Sequence, residues 1–205
     1  MAALRYAVCG IVLASLMPAG SRAADVSTFS FNSGMNCQGV WRLPDTGQTA
    51  SYTATFGEDH DYQPARVQMS YTVNADNTIT DNVTGLMWRR CSQGQSDDAS
   101  CSGGPGTYTF EQALAQCESE TTDYTDRRLP NVRELLSIVD YGAAAAPRIN
   151  TTYFPNTDTY SYYTNTTHVS DTGYVWGVAF SFGVMSSINK TMGGFNVRCV
   201  RAGQY

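Results

Sequence analysis

The stretch DRRLPNVRELLSIVDYG, Asp126 to Gly142, decides how the second half of this chain folds. Asn131 can accept a hydrogen bond from the backbone N–H of Glu134, and the Glu134 carboxylate can reach back to the Asn131 N–H. Pro130 has no N–H to leave unpaired just outside a helix, and Gly142 supplies a stop. The residues that share one helical face are apolar: Val132, Leu135, Leu136 and Val139. The stretch therefore predicts a capped helix between Asn131 and Gly142.

Two arginines before this helix, Arg127 and Arg128, are not explained by the cap. Arginine can bind a sulfate or carboxylate group through paired hydrogen bonds, which makes both residues candidates for ligand binding. The alternative is that they pair with nearby acids such as Asp123 and Asp126. Such pairing is the commoner role of arginines placed like these.

A first helix is predicted upstream of this stretch, beginning after Thr109. Thr109 and Gln112 form a second capping box. The apolar residues that follow recur at helical spacing: Phe110, Ala113, Leu114 and Cys117. Cys117 is therefore expected on the buried face of this helix.

Most of the remaining sequence is predicted to form short strands. One lies around Ile79, the next carries Leu86 and Trp88, and the last is FNVRCVRA at 195–202. A hairpin is predicted from YVWGVAFSFG and VMSSIN, at 174–183 and 184–189. Residues 149–172 have no helical period and few apolar side chains, which predicts a long loop. Two helices with these strands predict an α+β fold.

Several motifs, taken in order, resemble the Lcl C-terminal domain family, which is named for a Legionella collagen-like adhesin. The first are TDNVTGLMW, the capped helix ending in a cysteine, and RRLPNVRELLSIVDY; the later ones are FPNTDTYSYYTNT, VWGVAFSFG and VRCVR. The resemblance covers about Asp76 to Arg201. It implies a C-type-lectin-like fold with two helices, a small antiparallel sheet that pairs the chain ends, and a long loop region.

The sequence departs from this family pattern in the candidate site. Arg127 stands where the family usually has tryptophan, and Tyr163-Thr164-Asn165 stands where Trp-Ser-Ser is frequent. The motifs that hold calcium in sugar-binding lectins have no full counterpart, Phe154-Pro155-Asn156 being the nearest piece. The usual lectin calcium site is therefore expected to be absent.

The first 23 residues are typical of a secretory signal peptide. Arg5 precedes an apolar run that is too short to span a bilayer, and small residues follow up to Ala23. We predict a signal peptide at 1–23, a β-rich extension at 24–75 and the family-like domain at 76–205. The product is expected to be secreted or held at the cell surface of a bacterium, with no transmembrane segment in the mature chain.

The charge of the mature chain argues against nucleic acid as a partner. Removing Arg5 and Arg22 from 13 basic residues leaves 11 against 18 acidic ones, a net charge of 11 − 18 = −7. Lys190 is the only lysine. Phosphate backbones need a concentrated positive surface, which this composition does not supply.

Five cysteines remain after Cys9 leaves with the signal peptide. The resemblance implies a Cys117–Cys199 disulfide, because that fold joins its first helix to its last strand. A second disulfide, Cys91–Cys101, would close a polar loop rich in glycine and serine. Cys37 is then left over; the alternative is that it pairs with Cys91 or Cys101 and staples the extension to the domain. No CxxC pair is present, which disfavours zinc.

Aromatic and amide side chains in the predicted loop are the main candidates for ligand binding. Exposed tyrosine rings could bind the face of a glycan, neutral or sulfated, with Arg127 and Arg128 nearby; the loop candidates are Tyr160, Tyr162, Tyr163, Asn165 and His168. The alternative is that these rings pack the loop against the domain. Trp88 and Trp176 lie in apolar strands and are expected in the core.

An acidic turn, GEDHDY, offers Glu58, Asp59 and Asp61 as candidate calcium ligands. The favoured alternative is a solvated turn, and neither a metal nor another cofactor is expected.

Catalysis is not expected, because the chain has no nucleophile elbow, phosphate loop or HExxH motif. The sequence thus predicts a non-catalytic exported domain that binds extracellular glycan in adhesion. The alternative is a structural subunit of a surface assembly that makes protein contacts or homo-oligomers.

Overall fold

The computed structural model describes residues 44–65, 68–119 and 124–202. The predicted signal peptide and Cys37 lie outside these residues. No helix within the described ranges is long and apolar enough to cross a membrane.

The first sheet pairs the start of the family-like region with its end. Its strands are β1 (Tyr71–Val73), β2 (Thr78–Asp81), β3 (Leu86–Arg89) and β7 (Val200–Ala202). They are antiparallel in the order β1-β2-β3-β7, so the closing strand lies beside β3. The predicted strands around Ile79 and Trp88 are confirmed. The last strand was predicted too long, since only its final residues join the ladder.

The second sheet corrects the prediction of a long loop. It contains β4 (Ser161–Thr167), β5 (Tyr174–Ala179) and β6 (Val184–Asn189), in that order and antiparallel. The hairpin β5–β6 is confirmed, whereas β4 falls inside the region predicted as loop. Its first four residues are all buried, so β4 does not show the alternation of exposed and buried residues that identifies a half-buried strand.

Both helices begin where their capping boxes predict. Helix α1 spans Phe110–Glu118 and α2 spans Val132–Leu136, and both reciprocal cap hydrogen bonds are present in each. Helix α2 is shorter than its apolar stripe suggests. The Ser137 hydroxyl donates to the Glu134 carbonyl at 2.7 Å, which competes with continuation of the helix.

The core has two parts, and the second sheet separates them. Tyr162 and Val178 face the part that contains Trp88 and α2. Tyr163 belongs to the other part, with Cys117 of α1. The predicted burial of Trp88 is confirmed, and this sheet is covered on both faces.

The described residues contain one disulfide that closes a long loop and one that closes a short loop. Cys117 and Cys199 are bonded with a Cα–Cα distance of 5.5 Å, and Cys91 and Cys101 with a Cα–Cα distance of 5.1 Å. Both predicted pairs are confirmed. The alternative pairing of Cys37 with Cys91 or Cys101 is wrong, because those two cysteines are bonded to each other.

The segment ASYTATF lies in the extension predicted to be β-rich, but it is irregular and leads into a short 3₁₀ helix, Asp59–Ala65. Its conformation is held by carboxylates instead of a ladder. Glu58 accepts from the N–H groups of Tyr52 and Thr53 at 2.7 and 2.6 Å, and Asp61 accepts from the N–H of Gly57 at 2.7 Å. These hydrogen bonds lower the pKa of both carboxyl groups. The carboxylates of the candidate calcium ligands Glu58 and Asp61 therefore already accept hydrogen bonds from the backbone of this turn.

Removing the cap of α2 is expected to destabilise the domain modestly. Asn131→Ala leaves the Glu134 N–H without its partner at 2.9 Å, so the free energy of unfolding should fall by about 1 kcal/mol. Urea unfolding measures this change. The control Arg133→Ala, an exposed position of the same helix, should be neutral; an equal loss in both variants would contradict the capping explanation.

Candidate functional site

The predicted binding residues do not form one site. Tyr160 precedes β4, whereas Asn165 lies near the end of the strand and His168 follows it. At the rise of a β-strand, Tyr160 and His168 are roughly 25 Å apart along the chain. The structure thus separates these candidates into two surfaces.

Two of the predicted tyrosines are buried, and their expected exposure is wrong. The Tyr162 hydroxyl lies 2.8 Å from the Ser92 hydroxyl and accepts from the Asp158 N–H at 3.1 Å. The Tyr163 hydroxyl donates to the Met192 carbonyl at 2.8 Å, and burial raises the pKa of Tyr163 to about 12. Both side chains fill the core, which is the alternative that the sequence left open.

The arginines near α2 are paired with acids of the domain. Arg128 makes a bidentate contact with Glu134, with both N···O distances at 2.8 Å, which raises the pKa of Arg128. Asp126 pairs with Arg201 at 2.6 and 3.1 Å, and this contact lowers the pKa of Asp126. The guanidinium of Arg127 lies 5.4 Å from the centre of the Tyr124 ring. The predicted acid partner Asp126 is thus engaged by a different arginine.

The first of the two surfaces is a stacked aromatic pair. Tyr160 is 58% exposed, and its ring stacks on Phe195 with centroids 5.7 Å apart and an angle of 14°. Its backbone N–H donates to the Asp158 carboxylate at 2.8 Å. The buried Tyr163 ring packs against Phe195 in an edge-to-face contact, which supports this pair.

The second surface surrounds Trp176 on β5. Trp176 is half-buried, so its predicted place in the core is wrong. The His168 ring packs against the indole with centroids 4.2 Å apart and a tilt of 31°. His168 is held by its own backbone N–H, which donates to the Tyr174 carbonyl at 2.9 Å, and by an Nδ1 contact with the Ser170 hydroxyl at 3.1 Å.

Hydrogen bonds anchor the end of β4 beside this surface. The β4–β5 register shifts between Tyr163 and Thr167, opposite Trp176. Within that shift, Asn165 is exposed and its backbone N–H donates to the Pro130 carbonyl at 2.9 Å. Thr166 accepts from the Val132 N–H at 3.0 Å, which ties the strand to the start of α2.

Two polar atoms of this surface could bind a ligand. Among the described residues, no side-chain hydrogen bond is found for the Trp176 indole N–H, and the one found for the His168 ring is made by Nδ1, to the Ser170 hydroxyl. An aromatic face with nearby donors and acceptors can bind a molecule that has both apolar C–H groups and hydroxyl groups. We name Trp176, His168 and Asn165 the Trp176–His168 surface.

A cavity of about 350 Å³ lies elsewhere, between residues 44–46 and α2. Its wall is mostly apolar, with Met69, Leu136 and Val139, and Arg133 at its border. None of the predicted binding residues lines it. Within the described ranges, no group of three or more His, Cys, Asp or Glu side chains could hold a metal ion.

Arg198 is a fully buried charged residue that the sequence did not predict. Its guanidinium donates to the carbonyls of Arg89 and Arg90 and to the Thr157 hydroxyl at 2.8 Å, and it lies 5.1 Å from the centre of the Phe154 ring. Burial lowers the pKa of Arg198. The available signal was the VRCVR pattern, since Val197 and Cys199 face one part of the core and Arg198 must face the other.

The α+β fold and its two disulfides define a class of disulfide-bonded domains suited to an extracellular protein. Within that class, the family model of the Lcl C-terminal domain matches residues 77–201, and the chain belongs to the Lcl C-terminal domain family. This membership suggests an adhesin-like extracellular domain. No curated protein matches the chain.

Proposed function

We propose that this domain is a non-catalytic, adhesin-like module that binds an extracellular glycan through the Trp176–His168 surface. The carrying observation is the half-exposed indole of Trp176 with the His168 ring packed against it at 4.2 Å. The C-type-lectin-like scaffold implied by the family resemblance is part of this proposal. So is export by the predicted signal peptide.

The chemistry of a sugar suits this surface. The C–H face of a pyranose ring packs on an aromatic ring, while its hydroxyls bond to side-chain donors and acceptors. Trp176 supplies the ring and an indole N–H, and Asn165 adds an exposed side-chain carbonyl, its amide nitrogen already donating to the Leu129 carbonyl at 3.3 Å. Because the surface is held by backbone hydrogen bonds on β4 and β5, binding orders few side chains.

Neutral glycans are favoured over sulfated ones. Arg128 and Arg201 are neutralised by their ion pairs with Glu134 and Asp126. Displacing either pair would leave a carboxylate without its counter-ion, which costs free energy that a surface sulfate contact does not restore. The net charge of the mature chain also repels polyanions.

Trp176→Ala is expected to weaken glycan binding by about tenfold or more, because it removes the ring on which the sugar packs. The exported chain is first screened on a glycan array, and the best neutral ligand is then titrated by calorimetry. Tyr160→Ala is the matched control, since it removes another exposed aromatic ring at the far end of β4. Silence across neutral and anionic sugars, or equal losses in both variants, would overturn the proposal.

A second candidate is a structural subunit of a surface assembly. Apolar side chains exposed around the β5–β6 hairpin favour it: Phe182 is 74%, Val184 48% and Met185 49% exposed. Measuring the size of the exported chain with and without reductant separates the candidates. A defined oligomer that binds no sugar would favour the structural role.

A further inference from the structure

Strand β6 is the open edge of the second sheet. The other edge strand, β4, is covered because Tyr163 N–H donates to the Asn196 carbonyl at 3.0 Å and Asn196 N–H donates to the Ser161 carbonyl at 3.0 Å. In the described ranges, no backbone hydrogen bond joins residues 184–188 to any segment except β5. Half of the backbone groups of β6 therefore face outward unpaired.

This edge has none of the usual protections against pairing with another strand. β6 reads VMSSIN and contains no charged residue, proline or glycine. Its register with β5 is continuous over six residue pairs, so no bulge bends it away. Two of its side chains, Val184 and Met185, are apolar and about half exposed.

We propose that β6 pairs antiparallel with β6 of a second copy of this chain and joins the two three-stranded sheets into one of six strands. An antiparallel strand that meets itself needs no charge complementarity, and β6 has no charges that would repel. Such a contact is isologous, so it closes as a dimer and does not propagate.

The side-chain pattern of β6 fits this pairing. Opposed residues in an antiparallel pair project to the same face of the sheet, so even-numbered residues of β6 meet even-numbered ones. Val184 and Ile188 project to the face that carries Val175. With the two-fold axis at Ser186, Val184 lies opposite Ile188 of the partner subunit, which covers apolar surface now exposed.

The pairing has a consequence that rests on the proposed function. A two-fold axis perpendicular to the sheet keeps Trp176 of both copies on the same side. The two β5 strands are then three strand spacings, about 14 Å, apart. The dimer would present two Trp176–His168 surfaces in one direction, which raises the avidity for a repeating glycan.

Light scattering of the Cys37→Ser variant without reductant, over a wide range of concentration, tests the dimer itself, because both disulfides of the domain stay formed. Hydrogen exchange then locates the contact: protection of the amides of Val184–Asn189 should increase with protein concentration, while that of β1 amides should not. Both readouts are independent of any sugar. A dimer without glycan binding would support the pairing and count only against the Trp176–His168 surface.

The variant Met185→Lys/Ser187→Lys should raise the dissociation constant of the dimer by about tenfold or more. In the proposed register Met185 opposes Ser187 of the partner subunit, so the variant sets lysines against lysines twice. Val169→Lys is the control, because Val169 is 99% exposed and lies outside β6. Circular dichroism confirms that both variants fold.

Four results would overturn the pairing: a monomer at every concentration, a dimer that Cys37→Ser abolishes, a dimer whose β6 amides exchange as in the monomer, or equal weakening in the Val169→Lys control.

Discussion

A chain that lacks the Cys117–Cys199 bond is expected to lose about 4.5 kcal/mol of its free energy of unfolding. The bond closes a loop with a sequence separation of 82 residues, and most of its effect comes from the entropy it removes from the unfolded chain. Such a loss is a large fraction of the stability of a domain of this size. The double variant Cys117→Ser/Cys199→Ser avoids a new free thiol, and urea unfolding measures the change.

The second disulfide provides a matched control for this prediction. Cys91 and Cys101 are separated by only 10 residues, so the same entropy argument expects about 2.7 kcal/mol for Cys91→Ser/Cys101→Ser. The long loop should therefore cost about 2 kcal/mol more than the short one. Equal losses would show that local packing, and not loop closure, sets the effect of these bonds.

Local signals were sufficient for the starts of both helices. Each capping box depends on residues three positions apart, Thr109 with Gln112 and Asn131 with Glu134, and both are present. The end of α2 was harder to predict. Its apolar stripe continues to Val139, yet the helix ends at Leu136, and the later apolar residues reach the core without helical hydrogen bonds.

Strand β4 shows why the loop prediction failed. Tyr162 and Tyr163 project to opposite parts of the core, and their hydroxyls find partners at Ser92 and Met192, far along the chain. A strand can be buried on both faces when its polar side chains have hydrogen-bond partners. Its composition is then the same as that of a hydroxyl-rich loop. Only tertiary contacts distinguish the two.

The arginine assignments failed for a related reason. Sequence proximity suggested Asp126 as a partner for Arg127 or Arg128, whereas Asp126 binds Arg201, which is 75 positions away. The partner of Arg128 is Glu134, the same residue that caps α2. One carboxylate thus fixes both the helix start and the preceding arginine. The role of Arg128 in this stretch is therefore structural.

The candidate surface could be predicted in part. His168 and Asn165 were predicted as binding residues of a loop, and the structure leaves His168 half-exposed and Asn165 exposed, but Trp176 was assigned to the core because its strand is apolar. β5 lies in the middle of its sheet. Only the tertiary structure shows that the residues packed on this sheet leave Trp176 partly uncovered. A pattern of alternation cannot show the extent of the layer that covers a sheet.

Arg198 has the largest expected effect among single substitutions considered for this domain. Its guanidinium is fully buried and has no carboxylate partner among the described residues. It donates to the carbonyls of Arg89 and Arg90 and to two hydroxyls, those of Ser92 and Thr157. Arg198→Met keeps much of the volume but removes every donor. The hydroxyls can rotate to other partners, whereas the two carbonyls remain buried without one. Each such carbonyl costs 1–3 kcal/mol, so we expect a total loss of about 3 kcal/mol.

Arg198→Lys separates charge from geometry. Lysine keeps the positive charge but cannot span two carbonyls and two hydroxyls with one ammonium, so it should recover only part of the loss. Arg133→Met, at an exposed position, should change the free energy of unfolding by less than about 0.5 kcal/mol. Urea unfolding of the three variants supplies the comparison. If Arg198→Met were as stable as the parent, the carbonyls of Arg89 and Arg90 would have to accept hydrogen bonds from other donors, such as water. The hydrogen bonds of Arg198 would then not be needed for the stability of this domain.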